Sequence, residues 1–309
     1  MNSGTLALHR RALLVASGAL LLGRTGRAAL AEGFDTLELS FSGGRGFARA
    51  TQVVVPRAPA APRSLPVVVL LHGLGETSDA RSGMFAWTGR YGLGRAWERL
   101  ASPPIARERE PYLDAAELAA LNQTLDARPF TGLVVVCPSM PNPNRMRGPE
   151  TALDAFAECL TDEVLPAVRA RVTTASPAPA LTGLAGVSLG GRVALDLYLR
   201  RPEAFRTVGT VQGAYGVDRA VRYAERLANA PGALAERAVY VATSSTDPYR
   251  AANDRLAREL EKRGVPSTFS LRKGPHTQGW LREIGSLELL LWKDRALRGH
   301  VAATALGMR

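Results

Sequence analysis

Short apolar, β-branched runs of four to seven residues recur along the chain at Thr36 to Ser40, Thr51 to Val55, Val67 to Leu71, Leu133 to Cys137, Leu181 to Val187, Val208 to Val211, Ala238 to Ala242 and Thr268 to Leu271. Several are almost unbroken Val and Leu, the pattern of strands buried on both faces. Gly43-Gly44-Arg45-Gly46 links the first two and predicts an antiparallel hairpin. Between the later runs the spacing becomes helical. Ala252, Leu256 and Leu260 form one apolar stripe ended by Gly264, and Leu281, Ile284, Leu287 and Leu291 form another. This alternation predicts the α/β class, with a mostly parallel central sheet and helices on both faces. The segment from about 75 to 130 is too long for one crossover and carries Pro103, Pro104 and Pro111. It predicts an excursion that contributes to a substrate pocket. With no internal repeat and no long linker, residues 32–309 read as a single domain.

The first 31 residues hold four arginines and no acid, with His9, Arg10 and Arg11 ahead of the apolar run Ala12 to Leu22. Such a run is too short to span a membrane, which takes about 20 apolar residues. It has the n-region and h-region of a signal peptide, followed by Ala29-Leu30-Ala31 as a cleavage site, so residues 1–31 predict export with a mature start at Glu32. Arg10-Arg11 followed by Leu13 and Leu14 resembles a twin-arginine signal. The expected place is therefore the periplasm or the medium, without a stable membrane anchor. The chain of 309 residues carries a net charge of +11, and removing residues 1–31 leaves 35 basic and 28 acidic groups, a net +7. Nearly all the cations are arginines, scattered without a run of five, which argues against a nucleic-acid partner. Cys137 and Cys159 could bridge in an oxidising compartment or could both be small buried apolar side chains.

Gly186-Val187-Ser188-Leu189-Gly190 stands where an apolar run meets a helical pattern. A strand that turns directly into a helix at Ser188 strains the backbone there and exposes the hydroxyl, and side chains at Gly186 and Gly190 would collide in so tight a turn. Ser188 needs a base. Of the four histidines, His9 lies in the signal, His72 in the loop His72-Gly73-Leu74-Gly75 that it is expected to brace, and His300 beyond the last apolar stripe. His276, in Lys273-Gly274-Pro275-His276-Thr277, can reach back over the sheet edge and is the expected base. The acid that orients it is sought between serine and histidine, the order elbow-type hydrolases follow. Asp247 comes straight after a strand run, with Asp218 and Asp254 as alternatives, and Asp247 also suits a turn-and-cap role. The amides of Leu74 and Leu189 are the expected oxyanion donors. No metal-ligand cluster stands in the sequence and no cofactor is expected. A dinucleotide reading of Gly73-x-Gly75 lacks the third glycine.

Together, Leu70-Leu71-His72-Gly73, Gly186-Val187-Ser188-Leu189-Gly190-Gly191, Arg201-Pro202-Glu203-Ala204-Phe205, Asp247-Pro248 and Gly274-Pro275-His276 resemble the α/β-hydrolase superfamily, and within it the esterase D type, across residues 66 to 292. The resemblance implies an α/β-hydrolase fold and a serine hydrolase that cleaves carboxylic esters through Ser188, His276 and Asp247, by way of an acyl-enzyme. The substrate would be a small-molecule or polymer ester. Where such chains commonly carry Ser-Gly after the sixth strand, this one has Gln212-Gly213. Alternatives are an acyltransferase or serine peptidase using the same triad, or a secreted binding protein that keeps the fold without chemistry. Tyr215 and Trp280 are the named candidates for the substrate pocket.

Overall fold

A computed structural model describes residues 33–41, 50–57, 63–107, 112–230 and 237–300. The expected signal at 1–31 and the glycine turn at 43–46 lie outside the described residues. Among the described residues eight strands form one sheet: β1 Phe34–Ser40, β2 Ala50–Pro56, β3 Val67–Leu71, β4 Val134–Pro138, β5 Thr182–Val187, β6 Thr207–Val211, β7 Ala238–Thr246 and β8 Ser267–Pro275. Their order is β1-β2-β4-β3-β5-β6-β7-β8. β1 pairs antiparallel with β2, and β2 with β4. From β4 onward every pairing is parallel, so the carboxyl ends of β3 and β5 to β8 share one edge.

Among the described residues, ten helices cover the sheet: α1 Ala80–Met84, α2 Leu93–Ala101, α3 Ala115–Ala127, α4 Pro149–Glu158, α5 Leu165–Arg171, α6 Leu189–Tyr198, α7 Val217–Ala228, α8 Arg250–Lys262, α9 Gln278–Trp280 and α10 Ser286–Leu297. A π turn joins α4 to α5 and another joins α9 to α10. The strand pleat divides the core between the two faces. Val67, Val69 and Leu71 pack with α4 to α8, whereas Val68 and Leu70 pack with α2 and α10. Cys137 belongs to the second layer and Cys159 to the first, so the sheet separates them and both are buried thiols outside any disulfide. Of the two readings of this pair, the structure takes the apolar one. No helix among the described residues is long and apolar enough to cross a membrane.

The excursion between β3 and β4 builds α1, α2 and α3. A buried ion pair ties it to the sheet edge: Arg272 on β8 donates from Nε to Glu288 Oε1 at 2.7 Å and from Nη1 to Glu117 Oε1 at 2.6 Å. One guanidinium thereby joins β8, α10 and α3.

Candidate active site

β5 ends at Val187 and α6 begins at Leu189, leaving Ser188 alone in the turn with φ 54 and ψ −118. A side chain dislikes this conformation, and it persists because its surroundings hold it. The Ser188 amide donates to the Val211 carbonyl, and its own carbonyl accepts from Ala214 at 3.0 Å. Gly186 and Gly190 let strand and helix touch. A Cβ on Gly186 would stand 2.3 Å from the Gly190 carbonyl, and one on Gly190 would stand 2.3 Å from the His72 carbonyl oxygen.

Three carboxyl ends converge on this turn. His276, just past β8, places Nε2 3.1 Å from Ser188 Oγ and Nδ1 2.9 Å from Asp247 Oδ1. Asp247 is buried at the end of β7. Its Oδ2 accepts from Thr243 Oγ1 at 2.7 Å and its Oδ1 accepts from the Tyr249 amide at 2.9 Å. The carboxylate is thus aimed by one donor on β7 and one on the loop that follows, and the turn role and the histidine-facing role coincide in one side chain. Asp254 instead lies on α8 against Arg250 at 3.5 Å, and Asp218 is exposed in the first turn of α7.

The His-Gly loop lies alongside the elbow. His72 is buried, accepts the Met140 amide at Nε2 at 2.9 Å and therefore carries its proton on Nδ1, which donates to the Gly73 carbonyl at 2.9 Å. Burial holds its pKa below the ordinary histidine value, keeping the ring neutral. Leu74 opens a 3₁₀ turn and Leu189 opens α6, so neither amide has a partner inside its own helix.

Two groups that carry no sequence motif hold this geometry. Tyr91, from the excursion, accepts the Gly73 amide at 2.9 Å and donates to the buried Glu76, which also pairs with Arg90 at 3.2 Å. Gln212, at the end of β6 with φ 49, donates from Nε2 to Ser244 Oγ at 2.6 Å and to the Pro275 carbonyl at 3.0 Å. It thereby clips β7 to the residue preceding His276. The Gln212-Gly213 pair was visible as a departure from the common Ser-Gly, but only the packing shows what it does.

A match to the family described as "Putative esterase" covers residues 144–231, the stretch from before α4 through the elbow to the end of α7. Solved structures match over most of the chain. A ferulic acid esterase is 16% identical, with 85% of this chain and 99% of that one covered at a TM-score of 0.61. The feruloyl esterase module from Clostridium thermocellum, complexed with sinapinate, is 16% identical, with 91% and 95% covered at 0.57. The fluorophosphonate-binding serine hydrolase F of Staphylococcus aureus is 14% identical, with 85% and 98% covered at 0.53.

The chain has an α/β-hydrolase fold.

No curated protein matches its sequence. A cleft of about 630 Å³ lies near the elbow and is lined by Arg192, residues 214–219, Arg222, Pro248, Tyr249, Ala251 and Ala252. Tyr215 lies in its wall, with its hydroxyl donating to Asn253 Oδ1 at 2.7 Å. Trp280, expected in the pocket, is instead fully buried, and its indole Nε1 donates to the Lys273 carbonyl. A large aromatic beside a catalytic-looking loop serves there as packing under that loop. None of the residues lining this cleft comes from the excursion at 75–130.

Proposed function

We propose that the protein hydrolyses carboxylic esters through a Ser188-His276-Asp247 triad. The observation that carries this reading is the unbroken line from Ser188 Oγ to His276 Nε2 at 3.1 Å and from His276 Nδ1 to Asp247 Oδ1 at 2.9 Å. Ser188 Oγ attacks the ester carbonyl as His276 Nε2 takes its proton, and Asp247 holds the imidazole with Nδ1–H facing the carboxylate. The amides of Leu74 and Leu189 stabilise the oxyanion. His276 then gives the proton to the leaving alcohol, and water, activated by the same imidazole, releases the acid from the acyl-enzyme. The esterase match over 144–231 and the fold shared with ester-cleaving enzymes support the same class of substrate. Ser188→Ala should lower kcat on short nitrophenyl esters by about 10⁴-fold to 10⁶-fold. A wild-type rate in that variant would reject the triad.

Residues 1–31 are proposed to export the protein by the twin-arginine route and then to be removed. Arg10-Arg11 ahead of an apolar run supports this reading. Amino-terminal sequencing of the protein recovered outside the cytoplasm should begin at Glu32, and recovery there with Met1 intact would contradict it.

A further inference from the structure

The cleft beside the triad is cationic as well as apolar. Arg192, Arg219 and Arg222 line it against a single lining carboxylate, Asp218. Its rim holds Val217 and Tyr249, two of the most exposed large apolar side chains among the described residues. The Tyr249 ring lies 5.7 Å from the His276 ring, and the Ala214 amide donates to the Ser188 carbonyl. The cleft therefore shares the wall residues Ala214 and Tyr249 with the surroundings of Ser188 and His276.

The arginines are not consumed by structure alone. Arg192 donates from Nη1 to Asn144 Oδ1 at 2.8 Å, but its buried Nε faces no acceptor and stands 3.7 Å from Asp196. Asp196, behind the arginines, accepts from the Tyr223 hydroxyl at 2.8 Å. Arg219 lies in the field of Asp196 without a contact within 4 Å, and among the described residues Arg222 forms no ion pair. The first turns of α7 and α8 also open into the cleft, and neither N-cap, Gly216 or Tyr249, caps its helix with a side chain. The positive ends of both helices add to the arginine field. An ordinary ester needs none of this charge.

Building on the esterase reading, we propose that the cleft selects esters that carry a free carboxylate, with Arg219 and Arg222 as its receptors and Tyr249 and Val217 as the apolar walls of the intervening chain. The guanidinium forks match a carboxylate in shape and number of donors. The carboxylate could belong to the acyl or to the alcohol side of the ester, and one experiment separates them.

Binding is measured calorimetrically on Ser188→Ala protein with two matched pairs: monoethyl adipate against ethyl hexanoate for the acyl side, and 4-acetoxybenzoate against 4-acetoxybenzamide for the alcohol side. One pair should show the anion bound about 10-fold to 100-fold tighter, as one or two charge-assisted hydrogen bonds at a half-exposed site would give. Adding Arg219→Gln and Arg222→Gln should bring that ratio close to one, and raising the salt should shrink it. No preference in either pair, or a preference that survives both substitutions, overturns the proposal. Turnover of the neutral esters by wild-type protein keeps the two readings apart. Ser188-dependent hydrolysis without anion preference leaves the esterase reading standing and removes this one. Anion-selective binding without turnover does the reverse.

Discussion

Gly190→Ala tests whether the elbow is held by contact rather than by sequence habit. A Cβ at this position would stand 2.3 Å from the His72 carbonyl oxygen and 2.5 Å from that of Leu71, about 1 Å short of ordinary contact. Both obstacles are backbone, one ending β3 and one opening the His-Gly loop, so no rotamer change relieves them. Either α6 or the loop must move by about that 1 Å. Overpacking of this kind costs about 1–3 kcal/mol, and each kcal/mol lowers Tm by about 2–4 °C for a chain of this size. The catalytic loss should be larger than the stability loss suggests. Ser188 directly precedes α6, and a misplacement of about 1 Å can cost 10²-fold in kcat. Kinetics on nitrophenyl esters and thermal unfolding of the same preparation measure both quantities. Gly89→Ala is the control, because a Cβ there meets nothing within 4 Å and the residue is exposed. It should leave Tm within a degree or two of wild type or raise it slightly, by about 0.4–1 kcal/mol of chain entropy. Wild-type kcat and Tm in Gly190→Ala would refute the argument that this glycine is required by the approach of α6 to β3.

Two further outcomes follow from buried charge. Arg272→Met leaves Glu288, 2% exposed, without its cation and unties α3 from β8, which should destabilise the fold by about 3–5 kcal/mol in chemical denaturation; Arg272→Met with Glu288→Met should recover much of the loss. Lys293, fully buried on α10, donates to the Leu184 carbonyl and Thr207 Oγ1, and burial lowers its pKa well below the ordinary lysine value. Between the folded and unfolded pKa values the unfolded chain binds more protons, so this group's contribution to stability rises with pH up to the unfolded value of about 10.4. The Tm of wild type minus that of Lys293→Met should therefore increase from pH 7 toward pH 10, and a difference that does not change with pH would contradict the burial argument.

The strands were legible because parallel strands between two helical layers must be apolar on both faces. Val67 to Leu71 coincides with β3, and the Leu133 to Cys137 run differs from β4 by one residue at each end. Periodicity reads less well where polar groups are buried and paired. β7 extends past Ala242 through Thr243 and Ser244, whose hydroxyls meet Asp247 and Gln212, and an apolar criterion stops short of them. The excursion was visible only as length. Among the residues of α3 only Leu125 is buried, so that helix has almost no apolar stripe to read. At the site, the elbow, the single well-placed histidine and an acid after a strand stand at positions with strong local signatures. Tyr91 and Gln212 have none, since each acts through a contact with chain far away in sequence. The cleft arginines were hidden for the same reason: scattered through a chain rich in arginine, Arg192, Arg219 and Arg222 converge only when α6 and α7 lie side by side.

The most direct test of the account is covalent labelling. Purified protein treated with a fluorophosphonate and digested should yield one modified peptide, carrying the phosphonyl group on Ser188, and both Ser188→Ala and His276→Ala should abolish the adduct. Modification at another residue, or none in folded wild-type protein, would contradict the claim that Ser188 is an activated nucleophile.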